Sequence, residues 1–155
     1  FNIEIKNRWN NKFNTAITIV DVIIDKGVAL GGPLGVQGDI NAKIGVIEGT
    51  YRYENGKSSR TVIQHLWTKE DKRNWAAFVY EYNFSSSFNL FIADGWNYGG
   101  EDKTHYYNFG GSYSKNSTRL SLNYGRQRGG LICVGGVCRF VPESNGFNLN
   151  LNYSF

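Results

Sequence analysis

From residue 147 to residue 155 the chain alternates without a break. Phe147, Leu149, Leu151, Tyr153 and Phe155 hold the odd positions, and Asn148, Asn150, Asn152 and Ser154 stand between them. Successive side chains of a β-strand point to opposite faces, so this pattern is a strand with one greasy and one wet face.

A strand of this kind with an aromatic last residue is what closes a bacterial outer-membrane β-barrel. There the apolar face meets lipid and the polar face meets the lumen. On this reading Phe147, Leu149, Leu151, Tyr153 and Phe155 are the C-terminal barrel-assembly signal. Composition agrees: 155 residues make one domain, and Gly 19, Tyr 10, Phe 10 and Trp 4 favour strands and turns. A helical span needs about 20 consecutive apolar residues, and the sequence has no such run. A barrel disperses its membrane signal by alternation, so a mildly hydrophilic chain suits it. The net charge of +4 comes from scattered Lys and Arg, which argues against a nucleic-acid partner. The expected fold is an all-β, antiparallel transmembrane barrel.

Alternation and turn residues predict about nine strands, near 1–9, 13–26, 40–53, 58–68, 74–84, 88–98, 104–114, 118–127 and from about 146 to the end. Phase changes near Ile19-Val20 and Val46-Ile47 suggest β-bulges, and Asn55-Gly56 signals a tight hairpin. The connections themselves alternate. Those at 10–12, 55–57, 85–87 and 115–117 are short, whereas the stretches around 30–39, 69–73, 99–103 and 128–145 are longer and glycine-rich or charged. Outer-membrane barrels pair tight periplasmic turns with longer outer loops, so the C-terminus is expected to be periplasmic. With nine strands the first and last run in the same direction, while single-chain bacterial barrels have even strand numbers. There is no signal peptide and no methionine, and residue 1 falls inside an alternating strand. Residues 1–155 are therefore expected to be the C-terminal part of a larger barrel.

Cys133 and Cys138 flank Gly135-Gly136, a turn that brings the two sulfurs together. In an oxidising compartment this predicts a disulfide shaping a loop tip; half of a metal site is the competing reading, with no nearby His or Cys to complete it. The segment Gly125-Arg126-Gln127-Arg128-Gly129-Gly130-Leu131-Ile132-Cys133 through Arg139-Phe140-Val141-Pro142-Glu143-Ser144-Asn145-Gly146 resembles the C-terminal signature of an uncharacterised family of outer-membrane proteins from Bacteroidota. Gln64-His65-Leu66, Thr68-Lys69-Glu70-Asp71-Lys72, Asn74-Trp75-Ala76-Ala77 and His105-Tyr106-Tyr107-Asn108 resemble the same family. The resemblance covers the second half of the chain better than the first 55 residues. It implies an envelope barrel and brings no activity.

Strand phase places Glu4, Lys6, Arg8, Arg60, Gln64, Glu81, Asn83, Arg119 and Asn123 on the lumen face, with Asn148, Asn150 and Asn152. Neither charge sign predominates, which predicts weak ion preference at most. Asp94 falls in phase with the lipid-facing Leu90, Ile92 and Trp96, and a bulge at 93–95 would remove the conflict. His65 and His105 are expected near outer strand ends, with Glu70, Asp71 and Asp102 in adjoining loops. That is too little for a catalytic motif, and an aromatic girdle accounts for them. Gly31-Gly32-Pro33 and Gly129-Gly130 lack the strand–helix context and Lys of a phosphate loop. No catalytic, metal or cofactor residue is assigned. Leu131, Ile132, Phe140 and Val141 are apolar loop residues expected to contact a partner or fold back. The functional expectation is a structural or accessory component of an outer-membrane assembly, with a passive or solute-specific pore as the alternative. Expected partners are outer-membrane lipid, the barrel-assembly machinery during insertion, and other envelope proteins at the outer loops. A rim-located hydrolase and a secreted β-sandwich lectin are further readings.

Overall fold

One antiparallel sheet takes up nearly all the alternating sequence. A computed structural model describes residues 1–25, 38–69, 73–134 and 137–153, without the side chains of residues 24, 130–134 and 137–141. The strands are β1 Asn2–Arg8, β2 Phe13–Asp25, β3 Asp39–Arg52, β4 Ser58–Trp67, β5 Trp75–Asn83, β6 Phe88–Trp96, β7 His105–Lys115, β8 Thr118–Gln127, β9 Gly130–Val134, β10 Val137–Val141 and β11 Ser144–Tyr153. Nine of them form the sheet in the order β1-β2-β3-β4-β5-β6-β7-β8-β11. Among the described residues there is no α-helix.

The expected strands lie where alternation placed them, and the turn chemistry holds. Asn55 and Gly56 both adopt positive φ (63° and 72°), as does Asn116 (53°), so the tight turns use the residues that tolerate that conformation best. All four short connections fall at one end of the sheet and the long ones at the other.

Two expectations need correction. The stretch 128–145 is not a plain loop, because β9 and β10 pair within it as a hairpin and put Cys138 opposite Cys133 in the backbone register. The bulges are absent. The β2–β3 pairing runs unslipped from Phe13↔Tyr51 to Asp25↔Asp39, and β5–β6 and β6–β7 hold one register past Ala93, Asp94 and Gly95. The phase change in the sequence reflects strands apolar on both faces: Val20, Val22, Ile44 and Val46 share a face with Glu48 and are half-buried there. The nine strands do not close on themselves. The sheet has two edges, β1 and β11, and these run in the same direction.

The two faces are unlike. Among the described residues, every large apolar side chain in a strand of the nine-stranded sheet that is strongly exposed, from Ile3 and Ile5 through Ile47, Ile63, Phe78, Ile92 and Phe109 to Phe147 and Leu151, lies on one face by register. The opposite face is more shielded, with Ala42 at 5% and Val62 at 4% exposure. A flat single sheet would shield both faces alike, so the sheet curls toward the second face. Gly110 and Gly125 permit the curl between β7 and β8: a Cβ on either would clash with the Leu122 or Tyr107 carbonyl oxygen of the neighbouring strand.

Candidate functional site

The shielded face collects the polar side chains. Starting from the Arg60↔Glu81 pair, the register carries one face across the whole sheet. Glu4, Lys6, Arg8, Arg60, Gln64, Glu81, Asn83, Arg119 and Asn123 all lie on it, together with Asn148, Asn150 and Asn152. Strand period and unslipped pairing are enough to produce this, since opposed residues of neighbouring strands point to the same side.

Several of these side chains hold one another. The Arg60 guanidinium donates from Nη2 to Glu48 at 2.8 Å and from Nη1 to Glu81 at 3.2 Å, bridging β3, β4 and β5. Lys6 Nζ lies 2.9 Å from Glu4, in the same register row as Glu48. Together they make a ladder of alternating charge at the short-turn half of the face. Farther along, Asn89 Oδ1 accepts from the backbone N–H and hydroxyl of Ser112 at 3.0 and 2.6 Å. Arg119 donates to Ser112 at 3.2 Å, and Asn123 to Asn108 at 3.2 Å. Apart from Gln64, the half of the face nearest the long loops is apolar on β2 to β4, through Val20, Val22, Ala42, Ile44, Val46 and Leu66. In the sequence that apolar half has the form of a phase change, because β2 and β3 are apolar on both faces.

The exposed face carries two aromatic belts. At the short turns Phe13, Tyr51, Tyr53, Tyr82, Phe84 and Phe88 form a chain of ring contacts with centroids 4.6–6.4 Å apart. Near the long loops Trp67, His65, Tyr98, Trp96 and His105 form a second, from His65–Trp67 at 4.0 Å to Trp96–His105 at 5.4 Å. Between them β6 runs nine residues from Phe88 to Trp96. At about 3.3 Å per residue that is about 26 Å of strand, and a tilt of about 40° leaves about 20 Å of height, near the apolar band of a membrane barrel.

His65 sits on the apolar face with Ile63 and Trp67 and shares a 2.6 Å hydrogen bond with Tyr98. Asp94 is also on this face without a bulge. His105 Nδ1 donates to its Oδ2 at 2.7 Å, so the charge is partnered at the belt rather than turned inward. Asp102 lines a polar recess at the long-loop rim with Arg73, Lys103, Arg126 and Glu143. The loop above it is built on buried Asn97, whose Oδ1 accepts the Gly100 N–H at 2.7 Å. Arg126 pairs with Glu143 at 2.6 Å, and Arg128 lies over the Trp75 ring at 4.7 Å.

The side chains of Leu131, Ile132, Cys133, Cys138, Phe140 and Val141 lie outside the described residues, as do Gly31-Gly32-Pro33, Glu70, Asp71 and Phe155. Gly129 is described and lies against Glu143. Among the described residues no cluster of His, Cys, Asp and Glu has metal-binding geometry.

A family model described as a family of unknown function, DUF6029, matches residues 1–155. The chain belongs to that family. The match extends over the first 55 residues, so the DUF6029 pattern takes in β1 to β3 as well as the cysteine hairpin. No curated protein matches the chain, and no solved structure matches it.

Proposed function

We propose that these DUF6029 residues form part of the wall of a β-barrel in the outer membrane of a Bacteroidota bacterium, as a structural or accessory component of an outer-membrane assembly. The observation that carries this reading is the exposed face: a band of Ile, Leu and Phe framed by two aromatic belts, backed by a shielded face holding the ionic and amide groups. In water such a band is a large exposed apolar surface; against lipid it is the expected exterior. The C-terminus and the short turns lie on the periplasmic side, and the outer loops carry a Cys133–Cys138 disulfide. Closely opposed backbone positions support that bond. The loop residues Leu131, Ile132, Phe140 and Val141 are the contact points for other envelope proteins, and insertion uses the barrel-assembly machinery.

A passive pore is the second reading, favoured by the Glu4–Lys6–Glu48–Arg60–Glu81 ladder on the inward face. Mild-detergent purification from native membranes separates the two: a stoichiometric partner protein supports the accessory role, whereas a lone species that conducts in planar bilayers supports the pore.

Lipid contact is tested with variants retaining one tryptophan, the others replaced by Phe, reconstituted in lipids with brominated acyl chains. Trp67 and Trp96, on the outward face at 50% and 40% exposure, should be quenched and Trp75, on the inward face, spared. Equal quenching of all three, or recovery in the soluble fraction, would sink the reading.

A further inference from the structure

At the long-loop rim the chain builds a polar recess of about 400 Å³, within the size range of small-molecule sites. Its base is tightly tied. The Asn97 N–H donates to the Thr104 carbonyl at 2.9 Å and closes the β6–β7 connection, and the Gly99 N–H donates to the Asn74 carbonyl at 3.1 Å. The Asn74 side chain in turn accepts from the Thr68 N–H at 3.1 Å, so two neighbouring connections form one platform. Both glycines are needed there, since a Cβ on Gly99 would strike the Asn74 backbone and one on Gly100 the Asn97 side chain. One wall is Tyr106, whose ring stacks on Trp75 with centroids 5.7 Å apart and carries the Arg126 guanidinium 5.4 Å from its centre. Glu143 holds Arg126 in place at 2.6 Å.

Four further charged side chains line the recess, Arg73, Glu101, Asp102 and Lys103. Among the described residues none of them forms an ion pair, although both signs are present. Arg73 and Lys103 also hold left-handed backbone, with φ of 59° and 45°, a conformation that strains residues of this kind and collects at binding sites. With Arg126 and Glu143 the lining has three cations and three carboxylates, so it carries no net charge. A phosphate would meet Glu101 and Asp102 along with the cations, and a metal ion would meet Arg73 and Lys103. In Glu101-Asp102-Lys103 the two signs are adjacent, which leaves no separated poles for a zwitterion. What the lining offers is donors and acceptors interleaved at short range. A hydroxyl both donates and accepts, so a ligand with several hydroxyls satisfies both sets without bringing charge.

We propose that this recess binds a neutral saccharide. Arg73 and Lys103 donate to its hydroxyl oxygens, and Glu101 and Asp102 accept from its hydroxyl hydrogens. The site stands independently of the membrane reading, because connections between strands form it and the exposed face takes no part.

The test uses the full-length protein in mild detergent and a panel of neutral di- and trisaccharides of glucose, galactose, mannose and N-acetylglucosamine. Binding is read by saturation-transfer NMR and calorimetry. At least one saccharide should bind, with an affinity that changes less than about twofold as salt is raised, since screening acts on charged partners. Asp102→Ala and Lys103→Gln should each weaken it about 10-fold, the size of one lost hydrogen bond to a charged group. Lys57→Gln, at the short-turn end, should leave it unchanged, and all three variants should keep the parent's near-ultraviolet circular dichroism. Failure of every saccharide to bind at millimolar concentration overturns the proposal. So does saccharide binding that Asp102→Ala and Lys103→Gln leave intact, or that Lys57→Gln weakens equally. Binding confined to inorganic phosphate or a dipeptide, and lost as salt rises, overturns the ligand class.

Discussion

Glycine and arginine set the sharpest constraints at the scale of single residues. At Gly110 an added methyl would be driven into the backbone of β8, whereas at Gly95, on the same face, nothing lies within 4 Å. Gly110→Ala should lower the free energy of unfolding in urea by about 1–3 kcal/mol through forced backbone shifts, with Gly95→Ala close to neutral. Equal effects would mean that the curl of the sheet does not depend on close approach at β7–β8. Arg60 is a different case, 40% exposed between two carboxylates. Arg60→Leu leaves Glu48 and Glu81 facing each other and should cost about 1 kcal/mol, shrinking as salt is raised. Arg60→Lys should recover only part of the loss, because an ammonium cannot reproduce the two-pronged contact. Identical urea midpoints for all three proteins would show that the ladder is electrostatically idle.

At the scale of elements, strands were legible because period-two alternation and turn residues act locally. Asn55-Gly56 marks its hairpin through backbone preference alone. The hairpin β9–β10 was missed since its pairing lies inside a stretch whose glycines read as loop punctuation. The Gly135-Gly136 signal between the cysteines was the available clue. If Cys133 and Cys138 are bonded, alkylation of unreduced, unfolded protein should modify neither, and reduction should expose both. Two reactive thiols without reductant would remove the proposed loop staple. The expected bulges failed for a physical reason: alternation predicts a face only when one face is polar throughout, and β2 and β3 are apolar on both.

For the whole molecule, the decisive quantity is what each face touches. A cation placed at the middle of a lipid-facing band costs about 2–4 kcal/mol. Ile92→Arg, on the outward face at 53% exposure, should therefore depress the yield of folded, membrane-inserted protein strongly. Asn123→Arg, one position away in register on the inward face, should insert nearly as well as the parent. The opposite ranking, measured by resistance of the folded species to urea extraction, would place lipid on the other side of the sheet.

The sequence by itself determined the strand positions, the sorting of short and long connections, and the common face of the nine charged and amide residues. Each follows from local turn preference and the two-residue period. Tertiary structure decided the rest: that the registers run without slip, that Asp94 stays outward and meets His105, and that the inward face of β2 to β4 is largely apolar near the long loops. Those outcomes depend on which strands are neighbours and in which direction they run. Period alone carries no information about either.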